Sequence, residues 1–266
     1  MIVTLLTDYG RDDEFVGVCH GVIRRIAPEA RIVDITHGIR RYAVRQGALV
    51  LRNTLPYMPA GVHVAIVDPQ VGTERRALAL RCSDGQLLVG PDNGVLSLAW
   101  PTCGGVTAAV DITRSRHRLE PVSATFHGRD VFAPVAAHLA TGSELVDAGE
   151  AVDPETLTAV ELPRAGVEDG ALVAHVLVID RFGNAGLNVG HAELAGSGLK
   201  LGEQVELEVA RERFLAKYAQ TFADVKAGEL IVYEDAYRSL AVAINRGDAA
   251  GTLGLAPDSE VRLRPR

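Results

Sequence analysis

Three polar segments of this chain carry the residue types that can hold a ligand, move a proton and meet a developing charge. They are Thr7-Asp8-Tyr9-Gly10, Asp68-Pro69-Gln70-Val71-Gly72-Thr73-Glu74-Arg75-Arg76 and Thr125-Phe126-His127-Gly128-Arg129-Asp130. An Asp, an Arg and a His brought together can orient a nucleophile and stabilise charge. Asp68 follows the apolar run Val64-Ala65-Ile66-Val67, and a returning loop could seat Arg75 or Arg76 beside it. That pair could serve a site or simply hold the loop. Asp8 stands between a strand and a helix, where a carboxylate can accept both hydroxyls of a ribose or close an Asx-type turn. His127 precedes Gly128 at an expected helix start, so its ring either faces a cleft or is merely solvated. A fourth segment, Asp180-Arg181-Phe182-Gly183-Asn184, offers a carboxylate, an aromatic face and an amide within five residues. Those groups can bind an amine, stack on a planar base and read a base edge; the plain alternative is a β-hairpin turn with a buried Phe.

Positioning these groups needs strands that end just before them, because ligands of open α/β sheets bind beyond the carboxyl ends of the strands. Ile2 to Leu6 reads as a first strand, Arg31 to Ile35 as a second and Val62 to Val67 as a third. Phe15, Val18, Cys19, Val22, Ile23 and Ile26 mark the buried face of a helix, with Asp12 and Asp13 in its first turn and Pro28 as its stop. Val44, Ala48, Leu51 and Leu55 mark a second helix, ended by Pro56. Short strands at Ala77–Arg81 and Leu87–Val89 flank Ser83-Asp84-Gly85, and Gly90-Pro91-Asp92-Asn93-Gly94 is a turn cluster. A helix carrying Phe132, Val135, Ala136 and Leu139 begins near Arg129 and ends at Gly142. Alternating strands and helices imply a parallel sheet covered on both faces. Pro154 to Gly170 has no sustained periodicity and marks the boundary between an N-terminal domain, 1–160, and a C-terminal domain, 171–266. The second part is mostly β, with strands at Ala171–Ile179, Gln204–Val209, Glu229–Val232, Ser239–Ile244 and Val261–Leu263, which suits a small barrel or sandwich.

Composition narrows the function classes. A chain of 266 residues, 47% hydrophobic and 23% charged, is ample for a packed core. A net charge of −7 and a pI near 5.6 argue against nucleic acid or an anionic membrane as the main partner. Cys19, Cys82 and Cys103 have neither zinc-ligand spacing nor a disulfide framework, and core packing of Cys19 and Cys82 suits a reducing cytoplasm. The eight histidines are scattered, giving no metal signature. The N-terminus lacks the basic lead and apolar length of a signal peptide, and there is no membrane-length apolar run. No P-loop, GxGxxG, HExxH or GxSxG is present.

Taken in order, Thr7-Asp8-Tyr9-Gly10, Val67-Asp68-Pro69 with Val71 to Arg76, Gly90 to Gly94, Thr125 to Asp130 and Ile179 to Asn184 resemble the S-adenosylmethionine hydroxide adenosyltransferases, relatives of fluorinase and chlorinase. The resemblance runs from residue 2 to about residue 255. It implies an N-terminal Rossmann-like α/β sandwich domain, a smaller C-terminal β-barrel-like domain, and a homotrimer with sites between subunits. It implies hydrolysis of S-adenosyl-L-methionine to adenosine and L-methionine, with no metal and no cofactor. The family's Asp-Arg-His set falls on Asp68, Arg75 and His127, and its ribose-binding Asp on Asp8. The aromatic residue beside the ribose falls near Tyr42, the Asp for the methionine amine on Asp180, and the Asn for adenine on Asn184, with Phe182 between. His127, whose ordinary pKa lies near neutrality, is the expected proton acceptor and Asp68 the alternative. A non-catalytic adenosyl-ligand sensor, a metal-dependent nucleotide phosphatase and a halogenase are the rival readings. Where fluorinase-like enzymes have an aromatic residue and a fluoride-binding Ser, this chain has Asp68 and Gly128, which favours water. Gln70 stands where the family usually has Gly, and Ala236-Tyr237-Arg238 where it often has a Ser-x-Gly segment.

Overall fold

Apolar strands too short to stand alone must bury both faces, and the first half of the chain does so by alternating them with amphipathic helices. A computed structural model describes residues 1–266 and divides them into two units, Met1–Val160 and Glu161–Arg266. The first unit holds β1 (Ile2–Thr7), α1 (Phe15–Ile26), β2 (Arg31–Thr36), α2 (Val44–Thr54), β3 (Gly61–Ile66), β4 (Ala77–Cys82), β5 (Leu87–Pro91), β6 (Val106–Asp111), α3 (Ala133–Ala140), the short α4 (Leu145–Ala148) and β7 (Glu150–Val152). Its sheet has the order β2-β1-β3-β5-β4-β6-β7. The sheet is mixed rather than wholly parallel, because β4 and β7 run against the other strands. Val3 and Leu5 of β1 pack with Ile23 of α1 and Val135 of α3, whereas Leu6 faces Leu51 of α2. The period-2 alternation of a strand thus divides the core into two layers, one on each face of the sheet.

The second unit holds β8 (Gly166–Glu168), β9 (Ala171–Ile179), β10 (Ala185–Leu187), α5 (His191–Ala195), β11 (Gln204–Val209), β12 (Glu212–Tyr218), β13 (Leu230–Glu234), β14 (Leu240–Ile244), α6 (Ala249–Leu253) and β15 (Glu260–Pro265). The order β10-β14-β13-β12-β11-β15-β9 closes because β9 also pairs with β10, so these strands form a barrel with β8 appended to β9. Leu172, Val176, Leu207, Val232, Val242 and Leu263 fill its interior. Of the barrel and sandwich readings, the barrel holds.

Four expectations need correction. Asp12 and Asp13 precede α1, whose first turn has no acidic residue; the helix starts only at Phe15. Thr125 does not follow a strand: residues 113–127 form a long loop, because backbone N–H groups there bond to side chains instead of a neighbouring strand. The aperiodic stretch before Gly170 contains β8, and β6, β7, β10 and β12 were not anticipated. Pro56 does end α2, but through a 3₁₀ turn over Leu55–Tyr57.

Candidate functional site

The registered pairing of β1 with β3 brings Thr7 opposite Ile66, so the residues just past the strands, Asp8 and Asp68, emerge side by side. They line a cleft of about 310 Å³ with Tyr9, Phe15, Tyr42 and His127 among its walls. No helix of the chain is long and apolar enough to cross a membrane.

The loop after β3 turns back at Gly72, whose φ of +79° belongs to the left-handed region, and any Cβ there would overlap the Ala124 carbonyl. This close approach packs the Asp68 loop against the segment carrying His127. Arg75 then reaches back to Asp68: Nε donates to both carboxylate oxygens at 3.0 Å, and Nη2 makes a shorter contact with Oδ2. Both side chains are about 95% buried, with exposures of 4% and 5%. Nη2 also donates to His127 Nδ1 at 3.0 Å. The guanidinium lies over the Phe132 ring, 5.2 Å from its centroid, and Nη1 has no hydrogen-bond partner. Arg76 takes no part: it pairs with Asp92 and donates to the Thr156 carbonyl. The turn at Gly90–Gly94 is scaffold as well, since Asn93 Nδ2 donates to the Val67 carbonyl at 2.8 Å and fixes the end of the strand before Asp68.

An arginine carries no acceptor, so His127 Nδ1 must accept from it and a neutral ring keeps its proton on Nε2. Burial pushes the His127 pKa down, the Arg75 charge pushes it further, and Asp68, Asp130 and a hydrogen bond to the Ser123 backbone only partly oppose them. Neutral His127 therefore presents an Nε2–H donor. Asp68 Oδ1 takes one bond from Arg75 and keeps acceptor capacity; Oδ2 takes two.

Burial raises the Asp8 pKa, partly offset by the Tyr42 backbone N–H, which donates to Oδ2 at 2.9 Å. Tyr42 has φ +66°, a strained value for a non-glycine residue, and its side chain is 70% exposed. The carboxylate thus pins this turn and retains an oxygen for a ligand. Tyr9, Phe15 and Phe126 form a tilted and edge-to-face aromatic trio with centroids 5.1–6.0 Å apart. Phe15, expected in the core, is partly exposed on the cleft. Residue types alone give Tyr9 and Phe126 no role here, and their only signal is their place beside Asp8 and His127. Arg129 and Asp130 brace the loop: they pair with each other, and Asp130 Oδ2 accepts from the Ser123 N–H at 2.8 Å.

In the second unit, Asp180 heads the turn between β9 and β10. Its Oδ1 accepts from the Phe182 and Asn184 N–H groups at 2.8 and 2.9 Å, and its Oδ2 from Asn184 Nδ2 at 2.8 Å. The hairpin-turn alternative therefore describes the backbone, but Phe182 is not buried: it is 69% exposed beneath the Arg181 guanidinium. In place of Ser-x-Gly, Asp235 closes a turn by accepting from the Tyr237 and Ser239 N–H groups.

Comparison with known proteins agrees with this arrangement of motifs. Residues 3–149 match the model of the SAM hydroxide adenosyltransferase N-terminal domain, and residues 174–262 that of its C-terminal domain. An (R)-S-adenosyl-L-methionine hydrolase of Salinispora tropica is 48% identical, over 98% of this chain and 97% of the relative. A protein of the same name from Thermus thermophilus is 37% identical, over 98% of each chain. A solved structure of an uncharacterized conserved protein from Thermotoga maritima superposes with a TM-score of 0.91 at 35% identity, over 99% of this chain and 100% of that one.

Proposed function

This chain belongs to the SAM hydroxide adenosyltransferase family, and we propose that it hydrolyses S-adenosyl-L-methionine by attack of water at ribose C5′, giving adenosine and L-methionine. The observation that carries the reading is the interlocked Asp68–Arg75–His127 set at the wall of a cleft that also holds Asp8. The substrate is a sulfonium, and its leaving group is neutral methionine, so no acid is needed on the departing side. The difficulty is a weak nucleophile that must lie in line with the C5′–S bond. Holding it there can be worth up to about 7–11 kcal/mol. His127 Nε2–H donates to the water oxygen, the Asp68 carboxylate accepts one of its protons, and the remaining lone pair attacks C5′. As the C–O bond forms, the C–S bond breaks and its electron pair leaves with methionine. Arg75 holds the other two groups in place. This assigns the proton to Asp68, because the one imidazole nitrogen that could accept it already carries a hydrogen.

Asp8 receives the ribose hydroxyls and Tyr42 lies beside the sugar. Asp180, Phe182 and Asn184 receive the methionine amine and the adenine. The active assembly is a homotrimer with sites at subunit interfaces, a reading supported by the family resemblance and by the exposed Phe182 ring. Chemistry needs neither metal nor cofactor, and neither nucleic acid nor membrane is a partner. A cytoplasmic location is supported by three unpaired, buried cysteines, of which burial pushes Cys19 and Cys82 up to about 12.

The test is chromatography of the products after incubation with S-adenosylmethionine in chloride buffer. Adenosine and methionine in equal amounts are expected. A chlorinated nucleoside would make it a halogenase, and intact substrate with binding seen by calorimetry would make it a sensor.

A further inference from the structure

Beside the Thr7–Gly10 loop, three groups converge that the reaction does not use. His20 projects from α1, Asp34 from β2, and His37 from the turn just after β2. His20 Nε2 lies 2.8 Å from Asp34 Oδ1, His37 Nε2 lies 3.1 Å from the same oxygen, and all three ligand atoms fall within 4.8 Å of one another.

The two imidazoles meet the carboxylate differently. His20 makes a hydrogen bond to it. The His37 side chain is only 1% exposed, and its Nε2 lies 3.1 Å from the carboxylate oxygen but off the axis of a good hydrogen bond, a contact that helps to lower the Asp34 pKa without fully satisfying the nitrogen. An unmatched nitrogen in so buried a ring is costly unless something else meets it. The opposite nitrogen is already fixed: His37 Nδ1 lies 2.9 Å from the Thr7 hydroxyl. An imidazole anchored through Nδ1 by an oxygen, with a bare Nε2 turned towards a carboxylate and a second imidazole, has the arrangement of a metal ligand with its outer support.

We propose that His20 Nε2, Asp34 Oδ1 and His37 Nε2 form a site for one divalent cation of the zinc class. Two neutral imidazoles and a carboxylate are a ligand set that zinc accepts, with a fourth position left for water. His20 and Asp34 are partly exposed, with side-chain exposures of 35% and 25%, so an ion can enter from their side. The 3.1 Å between His37 Nε2 and Asp34 Oδ1 is close to the ~3.3 Å edge of a tetrahedron with metal–ligand bonds of about 2.0–2.1 Å, and the 2.8 Å hydrogen bond of His20 would open slightly to admit the ion. The site is structural. A bound ion would tie α1 to β2, and two links run from His37 to the loop carrying Asp8: the Thr7 hydroxyl, and the His37 carbonyl, which accepts from the Gly10 N–H.

The experiment uses full-length protein stripped with a chelator, then titrated with Zn²⁺ by calorimetry and with Co²⁺ by visible absorption. One ion per chain, cobalt bands of tetrahedral intensity and a zinc-dependent rise in Tm are expected. His20→Ala changes a partly exposed helix position and should keep the fold by circular dichroism while losing the bands and the Tm response. Thr7→Val removes the support of His37, together with the oxygen that accepts from the Tyr9 N–H, and should weaken zinc binding roughly 10–100-fold. Wild-type protein that binds no ion, or a folded His20→Ala variant that binds zinc as tightly as wild type, overturns the proposal. Neither result bears on adenosine formation, which is read separately.

Discussion

Two aspartates organise the two halves of this molecule, and they do so on different length scales. Asp180 satisfies itself within its own turn, taking N–H groups from Phe182 and Asn184, no more than four residues away. Asp68 is held by Arg75, which in turn grips His127, 52 residues beyond Arg75. The Asp180 turn needs only local chain and leaves Phe182 in solvent, so disturbing its ring should touch little else. The Asp68 cluster exists only when two loops are folded against each other, and each member is a neighbour's partner. Interlocking of that kind pre-sets charge and proton positions before substrate arrives, which is the larger part of electrostatic catalysis. The comparison predicts that the Asp68 cluster sets turnover and the Asp180 turn sets affinity.

The hardest test of that division is Asp68→Asn. It should lower kcat by roughly 10²–10⁴ with little change in KM. It also leaves the Arg75 cation buried without its counter-charge, so unfolding free energy should fall by about 3–5 kcal/mol. Steady-state kinetics and denaturant melts read the two effects, and a variant with wild-type kcat removes Asp68 from the mechanism. Gly128→Ser comes next. A Cβ at position 128 would run into the Tyr9 hydroxyl, and overpacking of this kind costs about 1–3 kcal/mol. We expect a lower Tm, slower hydrolysis and no halogenated nucleoside in fluoride or chloride. A halogenated product would mean that one side chain, rather than the Asp68 cluster, excludes halide. Phe182→Ala should act on KM alone, by about 0.5–1.5 kcal/mol or roughly two- to tenfold, with stability unchanged within about 0.5 kcal/mol. A fall in kcat as large as that of Asp68→Asn would erase the distinction between the two regions.

Much of this was readable from residues, and the failures have physical causes. Strands β1 and β3 announce themselves because both of their faces are buried, leaving continuous apolar runs, and Asp8 and Asp68 just beyond them line the cleft. Residue types alone leave Arg75 and Arg76 open as the partner of Asp68, and only the family resemblance points to Arg75; the physical reason lies in Asp92 and Thr156, which claim Arg76 from distant parts of the chain. Val122 to Phe126 looks β-prone, yet Ser123 Oγ and the Asp130 carboxylate take its N–H groups and make it a loop. Closure of the barrel depends on β10, three residues with Gly186 at the centre, too short for any periodicity to show. Phe15 follows the apolar stripe of α1, but it sits at the first turn, past the edge of the layer that covers the sheet, and so it lines the cleft. The His20–Asp34–His37 cluster is hidden for a related reason: Asp34 and His37 are near in the chain, but only the fold brings His20 of α1 to them.

The smallest expected effect is a pH dependence, and it returns to the same cluster. His127 has its pKa lowered from 6.5 by burial and by Arg75, and burial lowers His63, His117 and His138 as well. Above pH 6.5 these rings are neutral both folded and unfolded, and they contribute no pH dependence. As pH falls through the window between their lowered folded values and 6.5, the unfolded chain takes up protons first, so stability declines across that window. The catalytic consequence is narrower. Protonating His127 would place a hydrogen on Nδ1, against the Arg75 Nη2 that now donates to it, and would break the link that orients the ring. Turnover should therefore hold steady below pH 6.5 and fall only at the lower, shifted pKa of His127, and His127→Gln should remove that limb from the profile. An acid limb centred at or above 6.5 would mean that the imidazole is not under the Arg75 charge, and that the cluster is looser than its hydrogen bonds imply.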